Sequence, residues 1–124
     1  MVRTVRGVLA ALGAVILFGL AFQAANWIGF QFLGPRLKPL YAVAAAVRKG
    51  MARDEVLSII AKHGSKTLSQ HVFDNGDVTL WTAYTFTDTC STSLHFEGGV
   101  LRSTWTIGEN SPTDYCPGAP ADVR

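Results

Sequence analysis

Acidic residues are absent from the first 53 positions of this 124-residue chain, and cysteine occurs only twice, at Cys90 and Cys116. Two cysteines allow at most one internal bridge, which excludes a disulfide-dense secreted scaffold. Once an anchor is set aside, only about 90 residues remain for a core, which excludes a two-domain enzyme with separate cofactor and substrate domains. No GxSxG, Walker A or GxGxxG pattern occurs, and no internal repeat or low-complexity block interrupts the chain. The net charge of +2 conceals a division. Residues 1–53 carry seven Lys or Arg, whereas residues 54–124 carry four against nine acids. A nucleic-acid binder concentrates positive charge on its folded domain. Here that part is acidic, so no nucleic acid is expected as a partner.

Charge is also missing between Arg6 and Arg36. The densest part of that stretch, Val8-Leu9-Ala10-Ala11-Leu12-Gly13-Ala14-Val15-Ile16-Leu17-Phe18-Gly19-Leu20-Ala21-Phe22, is almost wholly apolar. A membrane-spanning helix needs about 20 such residues. The run reaches that length by continuing past Gln23 and Asn26 to Trp27, Ile28, Phe30 and Phe32. We therefore expect a membrane anchor over residues 1–34, with the lipid bilayer as the partner of residues 7–33. Trp27 and its neighbouring phenylalanines suit the headgroup level. A cleaved signal peptide is the competing reading, with Gly19-Leu20-Ala21 as the cut. Its product would carry an apolar tail starting at Phe22. A buried globular helix fits so long an uncharged run poorly. No cysteine near the N-terminus offers a site for lipid attachment.

Orientation divides the signals. Arg36, Lys38, Arg48, Lys49 and Arg53 come after the apolar run, against Arg3 and Arg6 before it, so positive-inside counting favours a cytoplasmic C-terminal domain. The signal-like N-terminus and a structural use for two cysteines favour the opposite side. We adopt the second arrangement: a single-pass protein of the inner (cell) membrane with a periplasmic domain. The basic collar can rest on anionic headgroups on either side.

Beyond the anchor, residues 35–108 read as one small α+β domain. Pro35 and Pro39 are expected to break the anchor from the first helix of that domain. Leu40, Tyr41, Ala44 and Val47 share one face of this helix, and Gly50 ends it. A second helix is predicted over residues 53–62, with Asp54 and Glu55 at its positive end and Val56, Ile59 and Ile60 as its buried stripe. From Lys66 the period changes from 3.6 to 2. Residues 67–73 and 78–87 read as a hairpin around Asp74-Asn75-Gly76-Asp77, and residues 92–97 and 100–107 as another around Gly98-Gly99. Alternation puts Val78, Leu80, Tyr84 and Phe86 on one face, and Leu94, Phe96, Leu101, Trp105 and Ile107 on one face of the later hairpin. The product is two short helices packed on a four-stranded antiparallel meander. Residues 109–124, with Pro112, Pro117 and Pro120, show no period and read as an irregular tail.

Little of this points to chemistry. His63 stands near a helix end, where a cation suits the helix dipole. His71 and His95 fall on different hairpins without zinc-ligand spacing, so no metal, cofactor or catalytic residue is expected. Asp74 and Asp77 read as turn residues, and Cys90 has no sequence-adjacent base that would make it a nucleophile. A Cys90–Cys116 bridge would tie the tail across the sheet end; the other reading is two free thiols in a reducing compartment. By alternation Trp81 faces away from Leu80, so it is exposed and marks a partner surface, unless the tail covers it.

The order of helix, Gly-Met, helix and strands resembles the small domain of the BamE family, also called SmpA/OmlA, of the outer-membrane β-barrel assembly machinery. Lys49-Gly50-Met51-Ala52-Arg53-Asp54-Glu55-Val56 resembles that family's Gly-Met turn into its second helix. Trp81-Thr82-Ala83-Tyr84 resembles its aromatic pair, and Leu94-His95-Phe96-Glu97-Gly98-Gly99-Val100-Leu101 its late hairpin. The likeness covers about residues 47–107, with a membrane helix in place of the family's lipoprotein cysteine. It implies a BamE-like fold in a cell-envelope setting and a non-catalytic interaction or assembly module that binds a protein partner. The alternative is a small inner-membrane subunit whose transmembrane helix is its main interacting part. Gly7, Gly13 and Gly19 do not form a GxxxG face, which ranks that alternative second.

Overall fold

A computed structural model of the chain describes residues 2–64, 66–109 and 116–124. The uncharged stretch forms α1 (Val2–Leu33), which passes through a single 3-10 turn (Gly34–Arg36) into α2 (Leu37–Ala46). Arg3–Ala46 is thus one helical run of 44 residues, apolar and long enough to cross a membrane. The expected break at Pro35 and Pro39 does not occur. Pro35 opens the tighter turn, where Leu37 N–H reaches both Gly34 O and Pro35 O, and Pro39 falls in the first turn of α2. First-turn positions are those where a missing N–H is tolerated.

The remaining elements are α3 (Arg53–His63), β1 (Ser69–Val72), β2 (Val78–Ala83), β3 (Thr89–Glu97) and β4 (Val100–Glu109). The strands form one antiparallel sheet in the order β1-β2-β3-β4, so the architecture is the expected α+β meander. Asp54 and Glu55 occupy the first turn of α3 and Lys62 and His63 the last, each matching the dipole. Leu40 and Val43 of α2, Val56 of α3, and Val78, Leu80, Leu94 and Leu101 of the sheet meet in the core with almost no exposure. The helices therefore cover one sheet face. Both turns lie where expected, with positive φ at Gly76, Gly98 and Gly99.

Two strands end earlier than the alternation predicts. β1 is shorter than residues 67–73, and β2 stops at Ala83 rather than continuing to residue 87. Residues 84–88 instead close a loop in which Thr85 Oγ1 accepts from the N–H groups of Thr87 (3.2 Å) and Asp88 (2.9 Å). A hydroxyl that bonds nearby backbone competes with the strand ladder. Phe86 consequently leaves the core face and is exposed.

A second departure lies on β4. Phe96 pairs with Leu101 as expected, but His95 pairs with Ser103, so Arg102 is an extra residue on β4. One bulged residue inverts every side chain beyond it. Leu101 and Thr104 are buried, whereas Trp105 and Ile107 turn to the outer face. The core face that the sequence pattern assigns to those two residues is corrected accordingly.

The outer edge of β4 is stitched at both ends. Gly50 N–H donates to Leu101 O and Leu101 N–H to Met51 O, both at 2.8 Å, and Arg53 N–H reaches Gly99 O at 2.9 Å. Gly50 adopts φ +87°, which a side chain would strain. Farther along, Thr104 N–H donates to Val123 O at 3.0 Å and Thr106 N–H to Asp122 Oδ1 at 3.0 Å. The described part of the tail, residues 116–124, has no helix or strand but is packed rather than loose; residues 110–115 of the expected tail lie outside the described residues. Cys116 is buried and joined to Cys90, with Cα atoms 5.9 Å apart, and Tyr41 donates its hydroxyl to Pro117 O at 2.7 Å.

The end of α1 docks on this domain. Phe30 meets Tyr84 edge to face with ring centroids 6.3 Å apart, and Thr87 Oγ1 donates to Asn26 Oδ1 at 3.4 Å. Gly29 is pressed against residue 86: a Cβ there would meet Phe86 Cδ2 at 2.9 Å and its backbone nitrogen at 3.3 Å. Asn26, Gly29, Phe30 and Leu33 have the spacing of a single helix face.

Gly29→Val is expected to push the loop at residues 84–88 away at a cost of about 1–3 kcal/mol, the range for overpacking. Hydrogen-exchange mass spectrometry would then show faster exchange in that loop with both hairpins still protected. Replacing Cys116 by serine is expected to remove about 3.5 kcal/mol, from loop-closure entropy over the 26-residue separation. Urea unfolding of the two forms measures that difference.

Candidate functional site

With helices on one face, the other face of the sheet is the place where side chains can meet a partner. Its rows are set by the register. Ser69, Trp81, Ser91 and Ile107 lie side by side across the four strands, and His71, Thr79, Ser93 and Trp105 form the next row. β3 contributes only small residues to these rows, while β2 and β4 contribute the large ones. Thr79 and Ser93 satisfy one another through a hydroxyl contact of 3.2 Å. The result is a shallow trough with a hydroxyl floor between Trp81 on one side and Trp105 and Ile107 on the other.

Trp81 is 38% exposed, Trp105 44% and Ile107 40%. Large side chains this open, gathered on one face, make it the candidate contact surface. At one end the trough deepens to a hollow of about 510 Å³ lined by Phe73, Asp74, Asp77, Thr79, Ser93 and Trp105. Phe73 is held there by His71, whose ring stands edge to face against it at 4.5 Å. The rim beside the turn is acidic.

Asp77 organises that rim. Its Oδ1 accepts from Phe96 N–H at 3.0 Å, and its Oδ2 lies 2.9 Å from His95 Nδ1. Asn75 Oδ1 accepts from Asp77 N–H at 3.0 Å, closing the turn locally. Arg53 adds a clamp from below, with Nε donating to Gly76 O at 3.1 Å and its guanidinium carbon 5.8 Å from the Phe96 ring centroid. The first hairpin turn is thereby bound to α3 and to β3 at once. His95 Nε2 also lies 3.2 Å from Glu97 Oε1, and Glu97 in turn lies 3.7 Å from Arg102.

These contacts move two pKa values. The hydrogen bond to Asp77, then that to Glu97, hold His95 above the ordinary histidine range against partial desolvation. Partial burial pushes Asp77 upward, but the hydrogen bonds from His95 and Phe96 N–H together outweigh it and leave Asp77 lowered.

The fold brings Cys90 and Cys116 together, and Trp81 faces outward as alternation requires. His63 is in the last turn of α3, while His71 and His95 serve the Phe73 contact and the Asp77 clamp. Among the described residues, no group of three or more His, Cys, Asp or Glu is placed to hold a metal ion. Asp74 and Asp77 border the hollow as well as the turn. Trp105 and Ile107 are the site residues that pattern reading misses, because strict alternation cannot register the extra residue at Arg102.

Compared with known proteins, the chain matches no family model, no curated protein and no solved structure.

The His95–Asp77 clamp makes stability depend on pH in two directions. The raised His95 contributes fully below the ordinary histidine value of 6.5, and its contribution is lost as pH rises through the higher folded value. The lowered Asp77 contributes above its ordinary 3.8, and that is lost as pH falls through the lower folded value. The chain is expected to lose urea resistance from slightly acid to alkaline pH, and His95→Gln to flatten that slope. Equal slopes in the two proteins would mean that the clamp does not set the pH dependence.

Proposed function

We propose that this chain is a membrane-anchored interaction or assembly module of the cell envelope, binding a protein partner without catalysis through the outer face of its sheet. The exposed pair Trp81 and Trp105, on a face that none of the described helices covers, carries the reading. Indole rings offer large contact area at low entropic cost and dominate binding hot spots. The trough suits an extended polypeptide with apolar side chains, and the rim formed by Asp74 and Asp77 suits a basic residue at one end. The order of helices, Gly-Met segment and meander is consistent with a BamE-like domain, which supports an assembly role.

The Cys90–Cys116 disulfide supports an extracytoplasmic domain, since such bridges persist in oxidising compartments. The alternative in which the transmembrane helix is the main interacting part draws less support. Six residues turn a helix by about 600°, so Gly7, Gly13 and Gly19 point in three directions roughly 120° apart. The three glycines therefore share no GxxxG face.

Photo-crosslinking in cells tests the binding face. A benzophenone amino acid in place of Trp81 or Trp105 is expected to give a discrete protein adduct, while the same group at exposed Lys62 on α3 gives none. Trp81→Ala in a folded chain should reduce capture from position 105 by about tenfold, the scale of a 1.4 kcal/mol contact. Absence of any adduct from positions 81 and 105 would end the proposal. A membrane-impermeant thiol reagent on intact cells tests the side: labelling only after reduction is expected for an external, bridged domain.

A further inference from the structure

We propose that the β2–β3 loop, residues 84–88, sits in the headgroup layer of the bilayer, with Phe86 as an apolar peg in that layer. The inference rests on α1 being a spanning helix and adds the position of the domain. Arg6 is the last charge before the apolar run, and a hydrocarbon core of about 30 Å takes about 20 residues at 1.5 Å each. A crossing that begins after Arg6 therefore ends near Asn26. That is the level at which the domain touches the helix, through Asn26 against Thr87 and Gly29 against Phe86.

Phe86 is 66% exposed although one side is pressed on Gly29, and Trp27 at the same level is equally open. The apolar phase continuous with α1 at this level is the acyl boundary of the bilayer, where aromatic rings concentrate. The loop backbone is prepared for reduced hydration. Tyr84 N–H and Thr85 N–H both donate to Asp88 O, at 3.1 and 3.4 Å, and Thr87 and Asp88 N–H donate to Thr85 Oγ1. A loop with these four N–H groups paired internally enters a water-poor layer at lower cost than an open one. The occupant of this surface is therefore lipid.

The test uses the full chain in phosphatidylcholine vesicles. With Trp27, Trp81 and Trp105 changed to Phe, Phe86→Trp becomes the sole indole reporter. Its emission is expected to be quenched about twofold more by lipids brominated near the carbonyl end than by lipids brominated near the methyl end, as for an interfacial ring. Aqueous iodide should quench it severalfold less than a chain keeping only Trp81. Thr87→Trp in the same background repeats the measurement should Phe86→Trp disturb the fold. Full iodide quenching with no effect of brominated lipid, in chains that float with the vesicles, overturns the seating of the loop. Failure of the wild-type chain to float overturns the spanning helix itself.

Discussion

The passage from α1 into α2 without a break governs the rest of the molecule. A membrane anchor commonly hands its domain to a flexible linker, and the domain then samples many orientations. Here the 3-10 turn at Gly34–Arg36 carries the helix past Pro35, and Pro39 is absorbed in the first turn of α2. Leu37 and Leu40, only a few residues beyond α1, already belong to the core of the sheet domain. The contacts of Asn26, Gly29 and Phe30 then fix the domain from the other side. The domain is held at a set height and azimuth relative to the helix axis.

That placement gives the sheet an inside and an outside of different character. The inner face carries aliphatic residues, with Thr92 and Thr106 pairing their hydroxyls at 2.8 Å near the tail. The outer face carries tryptophan on a floor of serine and threonine. β4 is covered by residues 50–53 at its start and by residues 122–123 at Thr104 and Thr106, which leaves less of the hydrogen-bonding row open on that side. β1 is short and exposed along its whole length. A partner docked on Trp81 and Trp105, as proposed, would meet side chains and leave the backbone ladder of the sheet undisturbed.

Local signals in the sequence identify most of the elements because their causes are local. Asp54 and Glu55 announce a helix start, and Asn75-Gly76 and Gly98-Gly99 announce turns whose positive φ values the structure contains. Alternation places Trp81 correctly because β2 keeps it strictly from Val78 to Ala83. It misplaces Trp105 because the bulge at Arg102 depends on how β4 meets β3, which no window of β4 alone records. Phe86 escapes it for a related reason: Thr85 folds the chain back on itself and draws residue 86 toward Gly29, far away in sequence. The Asp77–His95 and Arg53–Gly76 clamps likewise join residues about 20 positions apart. Long-range contacts of this kind have no period to read.

The tail has a consequence for biosynthesis. A ribosome delivers α1 first, a helix apolar and long enough to cross a membrane, while the sheet is still incomplete. β4 arrives next with N–H groups at Thr104 and Thr106 that nothing upstream satisfies, and Cys90 waits for a partner 26 residues later. Only when residues 116–124 have emerged do the bridge, the Tyr41 contact and the strand edge close together. Until then the growing chain carries one raw sheet edge and one unpaired thiol.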